Sequence, residues 1–260
     1  MSIFDRYIGI DYSGAETPED SLHGLRAYIA DESGAPREVN PPPSPRKYWT
    51  RRGLAEWLMA ILQENRRTLV GIDHSFSFPL PYFEKYGIMQ NWDIFLDDFC
   101  DHWPTDSPNT YVDFIRDGLR GQGSERQGDS GWLRTTEKHA PGAQSVFKFD
   151  VRGAVAKSTH AGIPWLRRLR RAHGSSLHFW PFDGWKPRTG IHVVAEVYPA
   201  LFRRRYPVED RTTDQHDAYA TCRWLQEMDH FNYLPRFFTP PLAPDERAVA
   251  SIEGWILGVA

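Results

Sequence analysis

Three short apolar runs in this chain end on a carboxylate. Tyr7 to Ile10 lead into Asp11, Leu69 to Ile72 into Asp73, and Ile191 to Ala195 into Glu196. Continuous runs of this length predict strands covered on both faces, over residues 6–12, 68–73 and 191–197. Residues 24–31 predict a further strand. Another lies within 36–50, where Pro41, Pro42, Pro43 and Pro45 restrict it to an edge or loop. Helical spacing takes over at 51–66, where Leu54, Trp57, Leu58, Ile61 and Leu62 share one face. Helices are also expected at 91–103, 110–118, 163–172, 213–229 (capped by Thr213) and 244–258, the last with Val249, Ile252, Trp255 and Ile256 as its apolar face.

Between these elements the pattern weakens. Ser75 to Pro81 read as a loop. Gly118 to Gly131 hold five glycines among polar residues, which predicts a mobile loop with little burial. His178 to Trp185 are aromatic and turn-rich. Early strands without intervening helices imply an antiparallel meander, and later strands alternating with helices imply parallel additions. The expected fold class is α/β: an RNase H-like mixed sheet, antiparallel meander plus parallel strands, flanked by helices. A single domain spans residues 1–260, with a long insertion at about 79–188.

A charge at the end of a buried strand is costly unless something compensates it. Asp11 and Asp73 sit in near copies of one motif, Gly-Ile-Asp, and the chain between them is long enough to lay their strands side by side. Magnesium and manganese favour such hard oxygen ligands. Glu196 ends the third run, with pairing to an arginine among 203–205 as its bland alternative. Asp214 and Asp217 share one face of the 213–229 helix. Asp214 suits a first helical turn, so Asp217, followed by the small Ala218, is preferred as ligand. Turn or cap roles are the alternative for Asp11 and Asp73. His74 and His216 flank two of these acids and are candidate proton shuttles or plain polar neighbours. Arg167, Arg168, Arg170, Arg171 and His173, and Arg203 to Arg205, either bind phosphate or form solvated faces. Phe179 to Phe182 either stack a base or pack the insertion onto the core.

Composition narrows this picture. A net charge of -3 argues against an overall basic nucleic-acid coat. Cys100 and Cys222 have no ligand spacing, so structural zinc is not expected and a disulfide lacks support. A chain of 260 residues that is 40% hydrophobic can bury a sizeable core. No apolar stretch is long enough to span a bilayer and no leader pattern opens the chain, so no membrane partner and a cytoplasmic location are expected. Neither a P-loop nor a nucleophile elbow is present.

Gly9-Ile10-Asp11, Gly71-Ile72-Asp73 with Phe78-Pro79, Glu196-Val197-Tyr198-Pro199 and His216-Asp217-Ala218-Tyr219-Ala220 together resemble the family termed domain of unknown function 429, whose members are predicted RNase H-like nucleases. Gly162 to Leu166 and Glu253 to Ile256 are similar to it as well. The resemblance implies an acidic site, and the function expected is hydrolysis of nucleic-acid phosphodiesters. Asp11, Asp73, Glu196 and Asp217 would hold Mg2+ or Mn2+. An actin-like nucleotide-binding phosphotransferase and a non-catalytic nucleic-acid-binding module are the alternatives, since a fold alone does not decide function.

Overall fold

A computed structural model describes residues 2–42, 46–151 and 155–259; Pro43 and Pro45 lie outside them. Strands β1 (Arg6–Asp11), β2 (Arg26–Asp31), β3 (Arg37–Glu38), β4 (Thr68–Asp73), β5 (Leu177–Trp180) and β6 (His192–Glu196) form one sheet in the order β3-β2-β1-β4-β6-β5. β2 runs antiparallel to β1 and β3, while β1, β4, β6 and β5 are parallel. The architecture is α/β, a mixed sheet flanked by helices.

Side chains alternate across a strand, and this divides the core in two. Ile8, Ile10, Val70 and Ile72 face α1 (Arg51–Ile61), α3 (Trp92–His102) and α6 (Ala156–His173). Tyr7, Leu69, Val193 and Ala195 face α7 (Thr213–His230). The glycines of both Gly-Ile-Asp motifs lie under α7. A Cβ on Gly9 would sit 2.3 Å from the Ala218 carbonyl oxygen and 2.4 Å from the Cys222 nitrogen. One on Gly71 would meet Thr221 and Val197 side chains at 2.9 Å. Only hydrogen fits there, so the helix backbone rests on the strand itself.

Several helices depart from their predicted bounds for identifiable reasons. α1 stops at Ile61 because Arg6, reaching from β1, takes the Ile61 carbonyl at 2.9 Å and the Glu64 carboxylate at 2.6 Å. The loop predicted at 75–81 ends in a helix, α2 (Leu80–Tyr86), with its prolines at the start where a missing N–H costs nothing. Residues 110–118 contain α4 (Val112–Arg116). Thr212, not Thr213, caps α7, in a reciprocal pair with Gln215. After α8 (Leu234–Phe238), the last helix α9 (Pro244–Glu253) ends early at Gly254, with φ of 82°. Trp255 and Ile256 therefore fall beyond it but remain buried.

α6 starts well before the predicted residue 163 and runs through Pro164. A proline cannot donate to the carbonyl four residues earlier, here that of His160. The Thr105 hydroxyl fills the gap, donating to the His160 carbonyl at 2.6 Å. The helix thus continues on a hydrogen bond borrowed from outside.

The insertion is more than a decoration, since it supplies the edge strand β5, which the sequence pattern placed among turns. Phe182 stacks on Trp92 with ring centroids 4.3 Å apart, and Phe179 packs on the same ring. The basic face of α6 is tied to acids near α3: Arg167 and Arg171 to Asp97, Arg168 to Asp106, and Arg170 to Asp93. Gly118 to Gly131 are largely exposed, but Gly123 is buried against Trp103 and Ile115. Both cysteines are free. Among the described residues, no helix is long and apolar enough to cross a membrane.

Candidate acidic active site

In the parallel pairing of β1 with β4, Asp11 is level with Asp73. Both have the strand parity of Gly9 and Gly71, so both side chains turn toward α7. Thr212 sets where α7 begins, and Asp217 follows in its second turn above the two strand ends. The three acids line one cleft of about 740 Å³, which Asp214, Tyr198, Lys157 and Arg203 also line. Its place, beyond the carboxyl ends of parallel strands, is where open α/β sheets bind ligands.

The electrostatics of the cleft are unbalanced. Burial, then the charges of Asp73, Asp217 and Asp214, push Asp11 well above the usual carboxylate range, against the pull of Arg203. Burial, followed by Asp217 and Glu196, raises Asp73 to about 8, although the Asp11 carboxyl is close enough to share a hydrogen bond with it. Asp217 is raised by burial, opposed by Arg203. Its Oδ2 accepts from Arg203 Nη1 at 2.7 Å, while its Oδ1 is buried with no hydrogen-bond partner. Without a further cation, the Asp11–Asp73 pair retains a proton at neutral pH.

Glu196 stands apart. It is level with Ile72, one residue short of Asp73, and alternation turns it to the opposite face. There Arg134 grips both its oxygens, Nη2 to Oε1 at 2.5 Å and Nη1 to Oε2 at 2.8 Å. Arg134 also donates to Glu137, Ser75 Oγ and the Glu253 carbonyl, so all five of its N–H groups are used. Burial would lower the Arg134 pKa, but Glu196 and Glu137 outweigh it and raise it. Glu196 thus pairs with an arginine, as its alternative reading had it, but with Arg134 at the start of α5 (Thr135–His139) rather than one among 203–205. The structure brings together Asp11, Asp73 and Asp217 in the cleft, whereas Glu196 is held by Arg134 and shares with Asp73 only a small cavity beside it.

The histidines do not line the cleft. His74 Nδ1 lies 2.9 Å from the Ser75 carbonyl, its ring is wedged against Gly162, and burial lowers its pKa to about 4. His216 Nε2 is 3.1 Å from the Arg203 carbonyl, which fixes the Arg203 turn against α7. Lys157 escaped the sequence reading, because neither motif nor periodicity marks it, and Tyr198 was visible only as a member of the Glu196 to Pro199 motif, without a role. Arg203 was visible only as part of a basic run.

Hard carboxylate oxygens and the orphaned Asp217 Oδ1 suit a divalent ion of the magnesium type. Among the described residues, no three His, Cys, Asp or Glu side chains stand in ready metal-holding geometry. Asp11 and Asp73 stand level at adjacent strand ends, while Asp217 is bonded to Arg203. No family model matches the chain, and no curated protein or solved structure matches it either.

Proposed function

We propose that the cleft is the active site of a magnesium- or manganese-dependent nuclease that hydrolyses phosphodiester bonds of nucleic acid on an RNase H-like fold. The observation that carries this reading is the meeting of Asp11 and Asp73 at adjacent strand ends, where burial and neighbouring acids push both toward the protonated form. The order β3-β2-β1-β4-β6, an antiparallel meander joined to parallel strands, supports the fold assignment.

In this reading Asp11 and Asp73 hold the ion and Asp217 completes its carboxylate set. When bound, a divalent ion supplies Lewis acidity for activating water and for charge developing on phosphate oxygens. The chain's own part is to bind and orient. Asp11 and Asp73, level at adjacent strand ends, would present their carboxylate oxygens to the ion. Arg203 and Lys157 present positive charge along the wall toward a phosphodiester, although Lys157 also pairs with Asp113 at 2.6 Å. Tyr198 narrows the cleft beside Asp73.

The decisive experiment is magnesium-dependent cleavage of single-stranded and duplex substrates by the wild type and Asp11→Asn. The variant keeps its circular dichroism spectrum and loses cleavage. Persistent cleavage by cleanly purified Asp11→Asn would refute the assignment. ATP-dependent phosphorylation of a small molecule, without cleavage, would favour the actin-like reading.

A further inference from the structure

We infer that Arg203 is an exchangeable counter-cation: it holds Asp217 until a divalent ion takes that carboxylate, and its freed guanidinium then binds a phosphate of the substrate. This deepens the nuclease reading and rests on its metal site. The contrast with Arg134 motivates it. Arg134 spends every N–H on buried partners, whereas among the described residues Arg203 makes one side-chain bond, Nη1 to Asp217 Oδ2 at 2.7 Å. Its side chain is 39% exposed against 12% for that of Asp217, so it lies on the solvent side of the pair.

Arg203 is anchored through its backbone, by His216 Nε2 at its carbonyl, while its fork stays open. A guanidinium with unused parallel N–H groups is shaped for bidentate phosphate contact. Lys157, the other cation on the cleft wall, is already shared with Asp113 and the Tyr111 hydroxyl. An ion competes with this bond through charge rather than through lone pairs: Asp217 Oδ1 is open to it, and a divalent cation there repels the guanidinium held on Oδ2. Exchange needs no change of fold, only rotation of a half-exposed side chain away from Asp217.

The test uses Mn2+ alone, titrated into wild type and Arg203→Gln and read from the loss of the free-ion paramagnetic resonance signal. Removing the competitor tightens Mn2+ binding roughly tenfold. In cleavage of a short oligonucleotide, the same variant shows a raised KM. Opposite effects on ion and substrate are the signature of exchange, since a residue that only props up Asp217 would weaken both. Mn2+ binding by Arg203→Gln equal to or weaker than wild type overturns the inference. If wild type binds no Mn2+, the metal reading falls and the exchange with it. Should Arg203→Gln not fold, Arg203→Lys carries the same test with a smaller gain in Mn2+ affinity.

Discussion

Two acidic regions lie at the carboxyl ends of neighbouring parallel strands, and they are built on opposite principles. Around Glu196, every charge meets a partner: Arg134 spans Glu196 and Glu137, and Glu253 accepts from the Leu80 and Thr135 backbone N–H groups at two helix starts. Asp229, deeper on α7, is equally settled, accepting from Ile3 N, Phe4 N and the Tyr7 hydroxyl. Around Asp11 and Asp73, acids meet acids. A buried carboxylate is therefore not itself a sign of function; the sign is a carboxylate whose neighbours raise its energy. The first region stabilises the end of the sheet. The second stores a cost, which in the proposed function a cation would relieve.

The contrast is most easily broken at Arg134. Arg134→Ala strands Glu196 and Glu137 in the interior, and removing one partner of a buried ion pair costs about 3–5 kcal/mol. Urea unfolding measures this, and a loss below about 1 kcal/mol would mean that the network is no anchor. Next comes the contact that brings Asp217 over the strands. Gly9→Ala forces α7 off β1 and costs about 1–3 kcal/mol or more, with weakened Mn2+ binding. Unchanged binding would show that Asp217 does not depend on that contact.

On the acidic side the sign reverses. Asp73→Asn stabilises the chelator-treated protein by on the order of 1 kcal/mol near neutral pH. An unfolded Asp titrates near its ordinary 3.8, while folded Asp73 titrates at about 8. Between those values the native state binds more protons, so its stability falls as pH rises. Urea midpoints at about pH 5 and about pH 8 measure the slope, which is shallower in Asp73→Asn. A wild-type slope of opposite sign would break the comparison. The smallest effect belongs to the exposed pair of Arg171 and Asp97: Arg171→Ala changes stability by less than about 1 kcal/mol.

Much of this was legible because it is local. The strands ending at Asp11 and Asp73 announce themselves by unbroken apolar runs, and their repeated Gly-Ile-Asp endings pointed to one edge. Even there the glycine had an unread meaning, since its role is to admit α7. Glu196 looked equivalent because the pattern that revealed it carries no register. A one-residue offset between β4 and β6 decides its face, and register is a property of pairing, not of either strand. Arg134 gave no periodic signal at all. β5 was hidden because a four-residue edge strand of aromatics followed by Pro181 reads locally as a turn. The ends of α1 and the course of α6 depend on donors from distant segments, Arg6 and Thr105, which no local pattern contains.

The Thr105 hydroxyl, donating to the His160 carbonyl that Pro164 leaves unpaired, makes the satisfaction of α6 a tertiary property. The first turn of that helix carries Lys157 and Ser158 on the cleft wall. Thr105→Val, nearly identical in shape, would delete one oxygen and leave the His160 carbonyl unanswered. The helix would then gain a flexure point at its proline, and the wall facing the acids would loosen while every residue lining it stayed the same.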